Sequence, residues 1–162
     1  MWKLWVRIKW IIGRLMGWIG TLESEIKLIK QYKLSELHLH STAMYKPDKL
    51  LGMPFDYQFD AVRTLNKGGD CNSLHRCYQV YYYNKGYRSY LVTYIAEPFK
   101  MSHGFCVYRY HNLWVAVNYD VETHHTCLTE AIEHVASLYQ STPITYVIQD
   151  IKWRVTNVRD IK

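Results

Sequence analysis

Along residues 1–20 the apolar positions Leu4, Trp5, Ile8, Ile11, Ile12, Leu15 and Ile19 fall on one arc of a helical wheel, and Lys3, Arg7 and Arg14 fall on the opposite side. The pattern predicts an amphipathic helix. Such a helix can pack its apolar face on the domain, which is the expectation here because Gly13, Gly17 and Gly20 permit close approach. It can also lie on a membrane surface or a partner protein, with its basic residues reaching for phosphates. Helical spacing resumes over 22–37, with Ile26, Ile29 and Lys30 on a mixed face, until Pro47, Gly52 and Pro54 turn 46–59 into a loop.

A tight turn, Asn66-Lys67-Gly68-Gly69-Asp70, then precedes Leu74, Cys77, Tyr78 and Tyr81 at helical spacing over 71–85, closed by Gly86. Beyond it the period changes to two. Residues 87–96, 104–110 and 113–119 are rich in valine and tyrosine and predict strands; a helix over 128–140 and strands over 144–148 and 152–158 complete the chain. This order predicts an α+β fold: N-terminal helices, then a central helix packed on a mostly antiparallel sheet. The expected organisation is a helical segment over 1–45 and the main body over 46–162, in one compact domain overall.

Composition narrows the class. With 162 residues, 49% apolar and 21% charged, the chain can bury a real core, which excludes a disordered protein. The net charge of +6 favours encounter with any polyanion, but no basic block is interleaved with aromatics, so no nucleic acid is expected as partner. Four irregularly spaced cysteines, Cys71, Cys77, Cys106 and Cys127, do not make a stapled scaffold; they read as reduced thiols and a cytoplasmic protein. Arg14 interrupts the N-terminal apolar stretch and no small-residue cleavage site follows, so neither a signal peptide nor a spanning helix is expected, leaving at most a peripheral membrane contact.

The chemistry centres on Gly68-Gly69-Asp70-Cys71 at the start of a helix. The glycines allow a sharp turn, Asp70 can cap the first amides, and Cys71 falls in the first turn, where the helix N-terminus favours a thiolate. The Cys71 amide has no partner within the helix and can donate to an oxyanion. A second piece comes from the hairpin over 103–120. A two-residue turn at His111-Asn112 pairs Tyr110 with Leu113 and, continued, sets His103 opposite Asp120, with about 5 Å between β-carbons. The other face of that hairpin carries Cys106, Tyr108, Tyr110, Leu113, Val115 and Val117. Thiolate, imidazole and carboxylate together suit acyl transfer from an amide or ester.

Gly69-Asp70-Cys71 before a helix, the Lys85-Gly86-Tyr87 exit into a strand, Ser102-His103 opening the next, and Trp114 to Asn118 leading to Tyr119-Asp120 resemble the transglutaminase-like family of papain-related cysteine enzymes. The resemblance runs over 57–126. It implies a papain-like core, a triad of Cys71, His103 and Asp120, no cofactor, and a peptide or protein substrate. The implied activity is that of a cysteine peptidase or amidase working through a thioester. A transglutaminase or a deamidase acting on glutamine side chains is the alternative, and a binding module with the chemistry unused is a third.

Metal binding is the chemical rival. His75 with Cys77, His103 with Cys106, and His124 and His125 with Cys127 offer nitrogen and sulfur ligands, but no Cys-x-x-Cys occurs and Cys106 on a strand points away from His103. No metal is expected. His124 and His125 are expected in an exposed loop.

Overall fold

A computed structural model of the protein describes residues 20–47 and 59–161, together with Leu4, Ile8, Ile11 and Ile12. From residue 20 on, the described residues hold five α-helices in order, α1 (Leu22–Ile29), α2 (Leu34–Ala43), α3 (Ala61–Lys67), α4 (Cys71–Asn84) and α5 (Leu128–Leu138). Six strands, β1 (Ser89–Glu97), β2 (His103–Tyr110), β3 (Leu113–Asn118), β4 (Val121–His125), β5 (Thr142–Gln149) and β6 (Val155–Asp160), form one sheet in the order β4-β3-β2-β1-β5-β6. Every pairing is antiparallel. The fold is therefore α+β, as its sequence order predicts.

Both faces of the sheet are covered. One core packs Phe105, Val107 and Ala116 with Ala131, Ile132, Val135 and Ala136 of α5. The opposite core packs Cys106, Tyr108, Val115 and Val117 against Cys77, Tyr78 and Val80 of α4 and Ile29 and Leu37 of the N-terminal helices. Strand residues of alternate parity thus serve two helical layers, which is why β1 and β2 are buried along nearly their whole length. No helix among the described residues is long and apolar enough to cross a membrane.

Local chemistry sets the helix starts. Thr21, Asp60 and Asp70 each cap a helix, their side chains accepting from the amides of Ser24, Arg63 and Ser73. The helix expected over 22–37 is in fact two, because the chain leaves α1 at Lys30 and re-enters helix at Leu34, where the Glu36 carboxylate accepts from the Lys33 amide at 2.8 Å. Helix α3 and strand β4 were not expected from the pattern. The first has only two turns, and the second, Val-Glu-Thr-His-His, lacks apolar alternation and is held by pairing to β3 and by the Tyr82 hydroxyl donating to Glu122. His125, expected in an exposed loop, is consequently buried at the end of β4. Of the loop expected over 46–59, residues 48–58 lie outside those described.

The layers are pinned by one buried ion pair. Arg76, in the middle of α4, is fully buried; its Nε and Nη2 donate to the two carboxylate oxygens of Glu25 on α1 at 2.9 and 2.6 Å. Nη2 also donates to the Ile151 carbonyl, Nη1 donates to Gln79, and the guanidinium stacks 4.4 Å from the Trp153 ring centroid. The same Glu25 accepts from the Ala61 amide at the start of α3. One carboxylate therefore joins α1, α3 and α4, and its arginine reaches the β5–β6 turn. Removing Glu25 alone strands a buried cation. Glu25→Ala is expected to lower the unfolding free energy by about 3–5 kcal/mol, and Glu25→Leu combined with Arg76→Met to recover most of that loss. Urea titration of the three proteins measures both, and a single-variant loss below about 1 kcal/mol would contradict the role given to this pair.

Candidate active site

The site forms where the N-terminus of α4 meets the start of β2 and the end of β3. Gly68 takes a φ of +84°, and a Cβ there would lie 2.5 Å from the Met44 carbonyl oxygen, so only glycine makes this turn without displacement. Gly69 is equally confined, with Ser73 Cβ 2.5 Å from where its own would be. The Met44–Lys46 segment runs alongside: the Gly69 amide donates to Met44 and the Lys46 amide donates to the Gly69 carbonyl. Asp70 then caps α4, its Oδ1 accepting from both the amide and the hydroxyl of Ser73 at 2.9 and 2.7 Å. Cys71 follows as the first residue of the helix, as its sequence position predicts, and is half-buried.

His103 opens β2. The next residue, Gly104, lies so close to α4 that a Cβ on it would sit 1.7 Å from Asn72 Oδ1 and 3.3 Å from Asn72 Cα. The residue after His103 is thus pressed against the residue after Cys71. Thr93 on β1 fixes the same asparagine by donating to its Oδ1 at 2.9 Å.

The expected acid is not beside the imidazole. The β2–β3 register is the predicted one, with Tyr110 facing Leu113 and Cys106 facing Val117, but pairing stops there. The chain bends after Asn118 into a second two-residue turn, Tyr119-Asp120, with Tyr119 at a φ of +56°, and returns as β4. Asp120 is exposed in that turn; its charge acts on His38, where it partly offsets a lowering by burial. Asn118 takes the place assigned to it, its Oδ1 lying 2.9 Å from His103 Nε2. Since an amide oxygen only accepts, the imidazole donates from Nε2, and its lone pair is on Nδ1. The Tyr139 hydroxyl stands 3.3 Å from the same Nε2 and donates to Asn118 Oδ1 at 3.4 Å, while Asn118 Nδ2 reaches the hydroxyl oxygen at 3.3 Å.

His75, one turn along α4, is the second histidine of the site. Its Nδ1 donates to the Cys71 carbonyl at 2.7 Å, and its Nε2 accepts from the Tyr119 amide at 3.0 Å. This ring ties the first turn of the helix to the β3–β4 turn and stands 5.4 Å from the His103 centroid. Burial, then the neighbouring His103, pushes the His75 pKa down to about 3, only partly opposed by the bond to Cys71. Burial likewise lowers His103 to about 4, against the raising effect of Asn118. Both rings are neutral at pH 7. Tyr45, Tyr94, Tyr119 and Tyr139 are all held above the usual range, chiefly by burial and in part by Cys71.

The arrangement can deliver a thiol, a neutral base with a fixed tautomer, and a helix N-terminus to one carbonyl. Of the predicted residues, Cys71 and His103 each neighbour the Asn72–Gly104 contact, whereas Asp120 lies in an exposed turn. Asn118, His75 and Tyr139 escape the sequence reading. A turn at Tyr119-Asp120 was the available signal for Asn118, because ending β3 one pair earlier moves the carboxylate out to solvent. The other cysteines differ: burial pushes the Cys77 and Cys106 thiols up, and Cys127 is exposed far along the chain at the cap of α5. Among the described residues no group of three or more His, Cys, Asp or Glu side chains is arranged to hold a metal ion.

The two neutral histidines set a pH dependence. Below about pH 6.5 the unfolded chain takes up protons that folded His75 and His103 refuse, so stability falls as pH falls toward 4. The expected slope is about 1.4 kcal/mol per pH unit for each ring, and His75→Gln is expected to remove its share. Urea unfolding across that window reads the slope; a flat profile would contradict neutral burial of these rings.

No family model matches the chain, and no curated protein matches it. Among solved structures it is similar to LapG from Legionella pneumophila, at 12% identity and a TM-score of 0.46, over 86% of this chain and 91% of that one. EGTA-treated LapG from the same organism is similar at 12% identity and a TM-score of 0.43, over 88% of this chain and 91% of that one.

Proposed function

We propose that the protein is a cysteine hydrolase that cleaves amide bonds of peptide or protein substrates through a thioester on Cys71. The single observation that carries this reading is the abutment of Gly104 on Asn72, which joins His103, already oriented by Asn118, to the helix start that bears Cys71. In the proposed reaction His103 Nδ1 accepts the thiol proton as Cys71 Sγ attacks the carbonyl carbon. The tetrahedral oxyanion is met by the Cys71 amide at the polarised end of α4. The imidazolium returns the proton to the leaving amine as the carbon–nitrogen bond breaks. Water, deprotonated by the same nitrogen, then attacks the thioester, and the thiol is regenerated with release of the acid. Asn118 holds the ring throughout by accepting from Nε2, the nitrogen that is not the base, which is the orienting role an acid has in other triads.

Incubating the protein with glutamine-containing peptides and an amine donor, while following new peptide termini and ammonia release, tests the reaction class. New termini with no ammonia are expected. Ammonia release with amine incorporation would replace hydrolysis by glutamine transfer, and no Cys71-dependent product at all would leave the scaffold a binding module. Within the expected activity, Cys71→Ala and His103→Ala should each lower turnover by about 10³-fold or more with folding retained.

Asn118 and Asp120 are separable by the same assay. Loss of ring orientation in Asn118→Ala should cost about 10²-fold in kcat. Asp120→Ala should leave turnover near that of the wild type, because its carboxylate lies in an exposed turn. The reverse ranking would restore the carboxylate to the triad and contradict the proposed role of Asn118.

A further inference from the structure

At three of the four positions where the structure describes it, the N-terminal helix leaves its apolar face exposed, and the fourth, Ile12, is half-buried. Leu4, Ile8 and Ile11 are helical and lie within one arc of the helix surface, at spacings of four and three. They are 62%, 44% and 55% exposed, and among the described residues none of the three joins a core cluster. Isolated exposed leucines are ordinary, but three in register on one helix are a face, and a face of this kind is covered by something.

Charge identifies the kind of surface. The stretch before Glu23 contains Lys3, Arg7, Lys9 and Arg14 and not one aspartate or glutamate. It also holds Trp2, Trp5, Trp10 and Trp18, four of the six tryptophans of the chain. A partner must therefore accept apolar side chains and cations at the same level. An anionic bilayer does so, with acyl chains directly beneath a layer of phosphates, and tryptophan is enriched at that boundary because one end of the indole is apolar and the other wet. Nucleic acid supplies the phosphates without the apolar layer, and a second copy of this helix would bring the same positive charge against itself. We infer that the N-terminal helix docks this protein on anionic lipid bilayers, with Leu4, Ile8 and Ile11 inserted and the basic residues on the headgroups.

Sedimentation of the full chain with vesicles tests this. The protein is expected to pellet with vesicles of phosphatidylcholine containing phosphatidylglycerol and to stay in solution with phosphatidylcholine alone. Added salt should weaken the binding, because the attraction is screened. A variant with Leu4→Asp, Ile8→Asp and Ile11→Asp should remain in the supernatant while unfolding at the wild-type Tm. Should that variant fold poorly, Lys3→Glu with Arg7→Glu makes the same test through charge, and is expected to abolish pelleting. Wild-type protein that stays in solution with anionic vesicles, or both variants pelleting as the wild type does, would overturn the inference. So would a wild-type dimer that becomes monomeric in the apolar variant and never binds vesicles, since the face would then belong to a second copy.

Discussion

Position 104 has no room for a side chain, and the site is built around that fact. A Cβ there would run into Asn72, so β2 can approach α4 more closely than two side-chain-bearing elements allow. The close approach sets the second residue of a strand against the second residue of a helix. Each of these ends has something to offer: the helix has amides without intrahelical partners and a positive dipole, and His103, paired to Tyr94 of β1 but beyond the last β2–β3 pair, has its ring bonded to Asn118. The neighbouring restrictions at Gly68 and Gly69 serve the same approach from the other side, letting the chain enter α4 beneath Ser73.

What holds that junction steady is polar and buried. His75 spans from the Cys71 carbonyl to the Tyr119 amide, using both ring nitrogens, and so couples the helix start to the turn that ends β3. Two turns of backbone that would otherwise leave unsatisfied groups near the site are closed by one neutral ring. Farther along the same helix, the Arg76–Glu25 pair sets the helix against α1 and the β5–β6 turn. The helix that presents Cys71 is thereby fixed near its beginning and at its middle, which is the rigidity that a positioned nucleophile needs.

The sequence disclosed the parts that depend on period and on local turn chemistry. The α4 helix, the valine- and tyrosine-rich strands, the Cys71 position and the β2–β3 register all follow from spacing, glycine and a two-residue turn. The expected pairing of His103 with Asp120 does not form, and for a definite reason. Whether Asn118 or Asp120 faces His103 depends on where β3 ends, and that depends on β4, a strand whose residues carry no apolar alternation and which is fixed by its neighbours. His75 was invisible for a related reason. A buried histidine is distinguished by two hydrogen bonds to backbone distant in sequence, and neither leaves a mark on its neighbours in the chain. The break between α1 and α2 and the short α3 likewise arise from side-chain contacts, such as Glu36 on the Lys33 amide, that a wheel does not register.

Whether His103 makes Cys71 reactive at the start of α4 is tested most directly by iodoacetamide labelling at neutral pH, mapped residue by residue. Half-buried Cys71 should be alkylated faster than the exposed Cys127, buried Cys77 and Cys106 should stay unlabelled, and the advantage of Cys71 should disappear in His103→Ala. Labelling that simply follows exposure, with Cys127 fastest and Cys71 indifferent to the loss of the imidazole, would contradict it.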